Sequence, residues 1–310
     1  MKYVTFRDPH GEIRAGWIEG RHVVDMHVLS GGALPDNLLQ LIEEHEALSA
    51  ELRKVRQAIA DKGISANAAG VFDPDQIALM APLPTPPSFR DFFVFEEHVS
   101  NARKRRGLTV PEEWYNIPVF YFSNHHAIIG PNEKVEFPGK SKEWDYELEM
   151  ACVIGKKGRN IPAEEAEDYI FGYCILNDWS ARDLQRQEMS VGLGPAKGKD
   201  FATSIGPYLV TKDELEPYRS GNLFNLEMTA TVNGRLLSKG NFNTAHYSFG
   251  QMIERASDTA TLRPGDLIGS GTVGTGCLLE LGPEVHPWLK SGDIVTLKIT
   301  GLGVLENEVK

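Results

Sequence analysis

Hydrophobic and polar positions alternate over the first 30 or so residues of the chain. Gly11 and Gly20 interrupt this alternation, as glycines do at turns between strands. The stretch is therefore predicted to be a small β-meander. From Leu38 to Ala60 the apolar residues recur at helical spacing, which predicts a single helix.

The later part of the chain is richer in strand patterns than in helical ones. A helix is predicted over 162–169, because proline is favoured in a first helical turn. The segments with strand patterns are 169–177, 226–232, 266–272, 278–281 and 293–299. Asn233-Gly234 predicts a hairpin turn after the second of them. The fold class indicated is mainly β with some α (α+β).

One further predicted strand, 144–155, carries two carboxylates where it enters the core. Successive side chains in a strand point to opposite faces, so Glu147 and Glu149 share a face about 7 Å apart. Like charges repel there, and desolvation adds to the cost. Either one carboxylate holds a proton or a cation lies between them, and a hard divalent cation prefers oxygen ligands. The alternative is an edge strand with two solvated glutamates.

A third acidic position, Asp178, lies at a corner between a buried strand and a helix. The helix is predicted from Ser180 and Asp183, which have the spacing of a capping box. It would place Arg182 and Gln185 on one side. Functional side chains are common at such corners.

A proline-rich segment, 74–87, is predicted to divide the chain. Proline is excluded from central strands and helix interiors. A chain of 310 residues is also long for a single core. We therefore predict a small N-terminal β-rich domain, 1–80, and a larger domain, 81–310.

Residues 95–106 are predicted to form a short helix after this division. Its basic face consists of Arg103, Lys104, Arg105 and Arg106. Such a face is either solvated or part of a lid that attracts anions.

Composition narrows the class of partner. The formal charge is −11, which argues against nucleic acid or an anionic membrane as the main partner. The 3 cysteines lack the spacing of a zinc site or a disulfide framework, and no apolar run resembles a signal peptide or a membrane span. A reducing, cytoplasmic location is expected. An anionic small substrate would need local positive charge in its pocket.

Several motifs occur together in a characteristic order. They are Asp91 with His98, Glu147-Leu148-Glu149, the Asn-Asp-Trp-Ser-Ala-Arg-Asp run over 177–183, Gly198-Lys199, Arg263-Pro264-Gly265-Asp266, Gly269-Ser270-Gly271-Thr272 and Gly301-Leu302-Gly303. Over roughly residues 80–310 the chain resembles the fumarylacetoacetate hydrolase family. The resemblance implies a mixed β-sandwich roll, a small barrel-like N-terminal domain and a homodimer.

The resemblance also implies a metal site and a catalytic site. The metal is a divalent cation, usually Mg²⁺ with Mn²⁺ or Ca²⁺ as alternatives, and its ligands correspond to Glu147, Glu149, Asp178 and Asp91. His98 corresponds to a catalytic base and Glu280 to the glutamate that orients it. The residues that correspond to substrate or oxyanion contacts are Arg182, Gln185, Lys199 and Thr272.

Three positions depart from patterns found in the family. Shorter members carry a glutamate three residues after the histidine, where this chain has Asn101, so Glu280 is the expected partner of His98. Phe93 and Met189 stand where fumarylacetoacetases carry tyrosines. A site that lacks those hydroxyl groups should not hold the same polar substrate in the same way.

The function implied is hydrolysis of a C–C bond in a 1,3-diketone acid of the fumarylacetoacetate or acylpyruvate type. Such enzymes are expected in the breakdown of aromatic compounds. Two alternatives use the same metal site: decarboxylation of a 2-oxo acid such as oxaloacetate, and isomerisation of a 2-hydroxydienoate. A binding protein without activity is a third hypothesis, and the presence of both His98 and Glu280 argues against it.

Overall fold

The strands and helices are taken from a computed structural model that describes residues 1–65, 68–105 and 107–310. In chain order the strands are β1 (Lys2–Arg7), β2 (Ile13–Glu19), β3 (His22–Asp25), β4 (Val71–Phe72), β5 (Ala78–Met80), β6 (Phe89–Phe92), β7 (Phe120–Phe122), β8 (Ile128–Ile129), β9 (Lys134–Val135), β10 (Trp144–Asp145), β11 (Leu148–Ile154), β12 (Ile170–Asp178), β13 (Ser180–Ala181), β14 (Thr203–Thr211), β15 (Arg219–Ser220), β16 (Leu223–Phe224), β17 (Glu227–Val232), β18 (Arg235–Asn241), β19 (Leu267–Gly269), β20 (Ile294–Ile299) and β21 (Gly303–Val309). The α-helices are α1 (Met26–Leu29), α2 (Leu38–Glu43), α3 (His45–Lys62), α4 (Glu96–Lys104), α5 (Arg182–Met189), α6 (Lys212–Leu215), α7 (Phe249–Ser257) and α8 (Leu278–Leu281). Short 3₁₀ helices span Pro74–Gln76, Glu112–Tyr115, Ala166–Tyr169, Glu216–Tyr218 and Phe242–Thr244.

A large sheet runs through the part of the chain that the structure describes. Its main path is β4-β3-β2-β1-β14-β12-β11-β19-β6-β7, with β5 beside β1 and β8 beside β14. The central strands β11 and β12 pair antiparallel, with Leu148 opposite Asn177, and all their residues are buried. The buried strand predicted over 169–177 is thus confirmed as β12.

Each face of the large sheet is covered by a different layer. Met150 and Cys152 of β11 join a core with a second sheet, whose order is β18-β17-β20-β21-β9. Ala151 and Val153 point the other way and pack with Leu41 of α2 and with α3. Burial of apolar surface on both faces stabilises this arrangement by about 25 cal/mol per Å². The predicted fold class, a β-sandwich roll with some helix, is confirmed.

The predicted N-terminal meander is also confirmed, since β1, β2 and β3 pair antiparallel in succession. β1 pairs with β14 as well, through Lys2 and Val210. Among the described residues the meander therefore extends the large sheet, and the barrel-like shape expected for it is wrong. The division of the chain near residue 80 stays a prediction. Strands from both sides of this position belong to one sheet, and side chains from both sides pack in one core.

The helix predicted from Leu38 to Ala60 is two helices, α2 and α3, which are separated at Glu44. This residue has φ −104° and ψ 12° and departs from regular helical geometry. Leu41 and Leu52 face the same core from either side of the break. Because the apolar spacing continues across it, periodicity did not reveal the break. In the described residues no helix combines the length and the apolar character needed to cross a bilayer.

Two other predicted elements differ from the structure. Only Ala166–Tyr169 of the helix predicted over 162–169 is helical, as a 3₁₀ turn. The segment 278–281 forms the helix α8 instead of a strand. The Asp145 carboxylate accepts hydrogen bonds from the first two N–H groups of α8 at 2.7 and 3.0 Å. The first N–H groups of a helix have no acceptor within that helix. A carboxylate that accepts hydrogen bonds from them therefore favours the start of the helix.

Candidate active site

Glu147 and Glu149 lie where β11 enters the core. The continuous strand predicted from Trp144 is interrupted at Tyr146, so Glu147 precedes β11 instead of lying in it. The Glu147 N–H donates to the side-chain oxygen of Asn177 at 2.9 Å, which fixes the interruption against β12. Both glutamates are buried and line the same cleft, as the strand alternation predicted, so the solvated-edge alternative is wrong.

Two further carboxylates join them from other strands of the large sheet. Asp91 lies in β6 and Asp178 ends β12, and β11 and β19 lie between these two strands. One oxygen from each of the four carboxylates lies within 4.8 Å of the other three, and all four residues are buried. The residues that the resemblance assigns to a metal therefore meet in one place. Their role as ligands stays a prediction.

A buried lysine lies against this carboxylate cluster. Lys199 Nζ donates to Asp178 Oδ2 at 2.7 Å and also to Glu147. Burial alone would raise the pKa of Glu147, but the positive charges of Lys199 and Arg182 lower it to about 2. Burial would lower the pKa of Lys199, but the charges of Asp178 and Glu147 raise it. Lys199 and Glu147 are therefore both ionised near neutral pH.

The cluster contains more carboxylates than the protein has positive charges beside them. Burial raises the pKa of Asp91 and of Glu149 well above its usual value, and repulsion by neighbouring carboxylates adds to this. Lys199 and Arg182 supply two positive charges against four carboxylates. Among the described residues, the Oδ1 atoms of Asp91 and Asp178 are buried without a hydrogen-bond partner. An oxygen-liganded divalent cation would supply the missing charge and the missing partners, so these residues fit such an ion.

Tyr121 belongs to the site, although the sequence analysis did not single it out. Its hydroxyl donates to Asp178 Oδ2 at 2.5 Å. Burial and the charge of Asp178 raise the pKa of Tyr121, so it remains a donor. The residue lies in an aromatic stretch of the sequence that has no spacing typical of a site, and only the pairing of β7 with β6 brings it here.

Because Gly269 has no side chain, the Asp91 carboxylate has room beside it. It pairs with Asp91 between β19 and β6, and a Cβ atom on it would lie 2.2 Å from Asp91 Oδ1. We expect Gly269→Ala to displace Asp91 and to weaken Mg²⁺ binding about 10- to 100-fold, the usual effect of disturbing groups that orient ligands. Calorimetric titration measures this affinity. Gly139→Ala is the control, because a Cβ there meets no atom within 4 Å. Equal affinities in the two variants would contradict the prediction.

His98 and Glu280 form a second buried group. His98 Nδ1 lies 2.7 Å from Glu280 Oε2, although 182 positions separate the two residues in the sequence. The other oxygen, Glu280 Oε1, accepts hydrogen bonds from the Thr275 N–H at 2.9 Å and from Asn101 Nδ2 at 3.2 Å. Burial opposes ionisation of Glu280, but His98 lowers its pKa. The pairing that the resemblance implied is thus present as a contact.

The helix predicted over 95–106 is α4, and its basic residues have different surroundings. Arg105 donates to the main-chain oxygen of Glu280 at 3.0 Å and so ties α4 to α8. Arg103 lines the cleft, and Lys104 is exposed. Arg106 lies outside the described residues. The basic face is therefore neither wholly solvated nor wholly directed at a ligand.

Helix α5 presents Arg182 and Gln185 on one side, as predicted, and Arg182 Nη1 donates to Gln185 Oε1 at 3.1 Å. The capping box predicted at its start is wrong. Asp183 lies within the helix and accepts hydrogen bonds from the Ser141 hydroxyl and the Lys142 N–H, each at 2.7 Å. The carboxylate therefore ties α5 to a neighbouring loop, because those donors reach it from outside the helix.

Asp145 connects the two parts of the site, although no sequence pattern singles it out. Besides the start of α8, its carboxylate accepts a hydrogen bond from Arg182 Nε at 2.8 Å. Arg182 Nη2 in turn lies 2.7 Å from Glu147 Oε1. One buried carboxylate thus joins the helix that carries Glu280 to the carboxylate cluster. No local pattern could indicate this, because 133 positions separate Asp145 from Leu278.

We expect Asp145→Asn to lower the free energy of unfolding by about 2 kcal/mol, because a hydrogen bond to a charged group contributes about 1.5–3 kcal/mol. Urea denaturation measures the change. The control is Glu143→Gln, which alters the more exposed pair of Glu143 and Arg186 and should cost less than about 1 kcal/mol. A similar small loss in both variants would argue against the connecting role of Asp145.

These groups surround one cleft of about 300 Å³. The predicted site residues that line it are Asp91, His98, Glu147, Glu149, Arg182, Gln185, Lys199 and Thr272. Thr272 Oγ1 donates to Glu149 Oε1 at 3.2 Å, so its hydroxyl is engaged by the carboxylate cluster. Phe93 and Met189 form part of the wall, which makes that side of the cleft apolar. Asp178 and Glu280 lie behind this surface, in contact with Lys199 and His98.

Comparisons with known proteins show which family the chain resembles. The family model described as "Fumarylacetoacetate (FAA) hydrolase C-terminal" matches residues 88–310. The chain is 32% identical to an oxaloacetate tautomerase of Rattus norvegicus, with 100% of this chain and 91% of the relative covered. It is similar to the structure of a fumarylacetoacetate hydrolase from Exiguobacterium antarcticum, with TM-score 0.75, 26% identity and coverage of 100% and 99%. A maleylpyruvate hydrolase from Sphingobium sp. SYK-6, in complex with manganese(II) and pyruvate, has TM-score 0.72, 25% identity and coverage of 100% and 98%. Since the family model spans well over half of its length, the chain belongs to the fumarylacetoacetate hydrolase family.

Proposed function

We propose that this protein is a metal-dependent hydrolase that cleaves a C–C bond in a 1,3-diketone acid of the acylpyruvate or fumarylacetoacetate type. The observation that carries the proposal is the 2.7 Å contact between His98 and Glu280 in the wall of the cleft that holds the carboxylate cluster. A histidine oriented by an ionised carboxylate is suited to remove a proton from water. Of the reactions considered, only hydrolysis requires an activated water.

Different side chains of the cleft would serve different steps of the hydrolysis. Because Nδ1 of His98 is bound to Glu280, Nε2 is the nitrogen that takes the proton from water. Attack of the hydroxide on a carbonyl carbon places negative charge on the carbonyl oxygen. Lys199 and Gln185 line the cleft and would stabilise that charge. Arg182 has N–H groups beyond those that its protein contacts use, and these would bind the substrate carboxylate.

We further propose Mg²⁺ as the cation and Asp91, Glu147, Glu149 and Asp178 as the residues that hold it. The excess of carboxylates over neighbouring cations and the unpaired buried oxygens of the cluster support this choice. When bound, the ion would polarise the carbonyl oxygens of the substrate. A manganese(II) ion in the related maleylpyruvate hydrolase is consistent with a divalent cation. The proposed protein is a cytoplasmic homodimer, and its proposed substrate is a small anionic oxo acid.

A reaction on a 2-oxo acid of the oxaloacetate type is the second candidate. The observation in its favour is the match of the whole chain to an oxaloacetate tautomerase at 32% identity. Tautomerisation, decarboxylation and isomerisation of a 2-hydroxydienoate all move a proton or lose carbon dioxide without the attack of water. Each of these reactions would use the carboxylate cluster and Lys199, and decarboxylation, which needs no activated water, would depend less on His98.

Purified protein supplied with acetylpyruvate or with oxaloacetate, each with and without Mg²⁺, tests the proposal. We expect acetate and pyruvate in equal amounts from acetylpyruvate, and only when Mg²⁺ is present. Turnover of oxaloacetate without cleavage of acetylpyruvate would favour the second candidate. The absence of turnover with acylpyruvates of several chain lengths and with oxaloacetate would favour a binding protein.

A further inference from the structure

A second group of potential metal ligands includes the side chains of the proposed catalytic pair. His98, Cys277 and Glu280 each place one ligand atom within 4.8 Å of the other two, and all three residues are buried. Cys277 Sγ lies 3.4 Å from Glu280 Oε2 and 4.0 Å from His98 Nδ1. We propose that these three residues form an inhibitory site for Zn²⁺ or a similar transition metal ion, separate from the carboxylate cluster.

The distances between the ligand atoms are close to those of a tetrahedral zinc site. Bonds of about 2.3 Å to sulfur and about 2.0–2.1 Å to nitrogen or oxygen place sulfur about 3.5 Å from the other ligand atoms. The Cys277 distances of 3.4 and 4.0 Å are near this value. The His98 and Glu280 atoms are 2.7 Å apart and would separate by about 0.6 Å to admit the ion.

The surroundings of Glu280 are those of an oriented ligand. The Thr275 N–H and Asn101 Nδ2 hold Oε1, which leaves Oε2 directed at His98 and Cys277. Hydrogen bonds of this kind to the second carboxylate oxygen fix the orientation of metal ligands in proteins. Three donor atoms of different elements therefore lie within 4.0 Å of one another, and Glu280 is already oriented through its second oxygen.

Every proton that moves when Zn²⁺ binds to these residues can be followed. The Cys277 thiol loses its proton to solvent, because the thiolate is the form that binds a metal ion. Where the His98 ring holds one proton, that proton moves from Nδ1 to Nε2, and Glu280 binds the ion as its carboxylate. The thiolate and the carboxylate together neutralise Zn²⁺, and one proton is released for each ion bound.

The two sites differ in the ions that they prefer. The carboxylate cluster offers oxygen atoms only, which suits a hard cation such as Mg²⁺. The group of His98, Cys277 and Glu280 offers nitrogen, sulfur and oxygen, which suits Zn²⁺ or Co²⁺. Zn²⁺ at this site would occupy Glu280 and displace the proton on His98 Nδ1, so the pair could no longer activate water. This inhibition rests on the proposed function, whereas the binding itself does not.

Cobalt spectroscopy tests the binding without reference to activity. Protein saturated with Mg²⁺ is titrated with Co²⁺, and we expect a thiolate-to-cobalt charge-transfer band in the near ultraviolet that one equivalent of Zn²⁺ removes. Co²⁺ in the carboxylate cluster cannot give this band, because that site has no sulfur. Cys277→Ser should abolish the band with little change of volume. Cys174→Ser is the matched control, because Cys174 is also a buried free cysteine but lies in the core on the other face of the large sheet.

A band that persists in Cys277→Ser, or no band in the wild type, would overturn the zinc site. Circular dichroism verifies that both variants are folded. In the Mg²⁺-saturated wild type, one equivalent of Zn²⁺ should lower cleavage of acetylpyruvate at least tenfold, and a chelator should restore it. A band together with undiminished cleavage would refute the inhibitory role. A band in a protein that cleaves no acylpyruvate would refute the proposed function and leave the metal site intact.

Discussion

Replacing Glu149 by alanine is expected to abolish Mg²⁺ binding and, with it, all metal-dependent activity. Glu149 is fully buried, and its two oxygens accept hydrogen bonds from the Gly271 N–H at 3.0 Å and the Thr272 hydroxyl at 3.2 Å. These bonds orient its carboxylate in the cluster. A ligand that binds only the folded protein stabilises it by about 2.7 kcal/mol at one hundred times its dissociation constant. Mg²⁺ should therefore raise the free energy of unfolding of the wild type and not that of the variant.

Two further variants separate ligand loss from damage to the fold. Glu149→Gln keeps the size of the side chain and should lose most of the Mg²⁺ affinity while unfolding at nearly the wild-type denaturant concentration. Glu143→Gln changes a carboxylate outside the cluster and should bind Mg²⁺ normally. Unchanged Mg²⁺ binding in Glu149→Ala, measured by calorimetry, would remove Glu149 from the metal site.

Replacing His98 by alanine is expected to slow cleavage of an acylpyruvate at least about 100-fold, because a positioned general base contributes about 10²–10⁴-fold. Glu280→Gln should have the same effect in milder form. It keeps a hydrogen-bonding group beside His98 Nδ1 but removes the charge that stabilises an imidazolium. Initial rates at saturating Mg²⁺ and substrate measure both losses.

Asn101→Ala provides the control for this pair. Its Nδ2 donates to Glu280 Oε1 at 3.2 Å, whereas His98 contacts the other oxygen, Oε2. We expect a loss smaller than that of Glu280→Gln. If Asn101→Ala lowers the rate of cleavage as much as His98→Ala does, the losses would come from disturbance of α4 and not from loss of proton transfer.

Local patterns predicted much of the fold and only part of the site. The buried strand over 169–177 and the N-terminal meander were found because apolar periodicity reports directly on burial. The segment 278–281 was misassigned because its start depends on the Asp145 carboxylate, 133 positions away from Leu278. The break at Glu44 was missed because both flanking helices keep the same apolar spacing.

The candidate site residues differ in the kind of evidence that reveals them. Strand alternation placed Glu147 and Glu149 on one face, but it left open a solvated edge strand as the alternative. The pairing of His98 with Glu280 came from family resemblance, since neither residue has a local feature that indicates the other. Asp145 and Tyr121 act through contacts made by distant strands and helices, and only the structure reveals such contacts.

The most direct test of the proposed function compares two activities in one pair of proteins. Cleavage of acetylpyruvate and decarboxylation of oxaloacetate are measured in the wild type and in His98→Ala at the same Mg²⁺ concentration. We predict that the wild type cleaves acetylpyruvate, and that the variant loses this activity at least about 100-fold while any decarboxylation falls much less, because decarboxylation needs no activated water. Equal losses of the two activities, or decarboxylation by a wild type that does not cleave acetylpyruvate, would contradict the account.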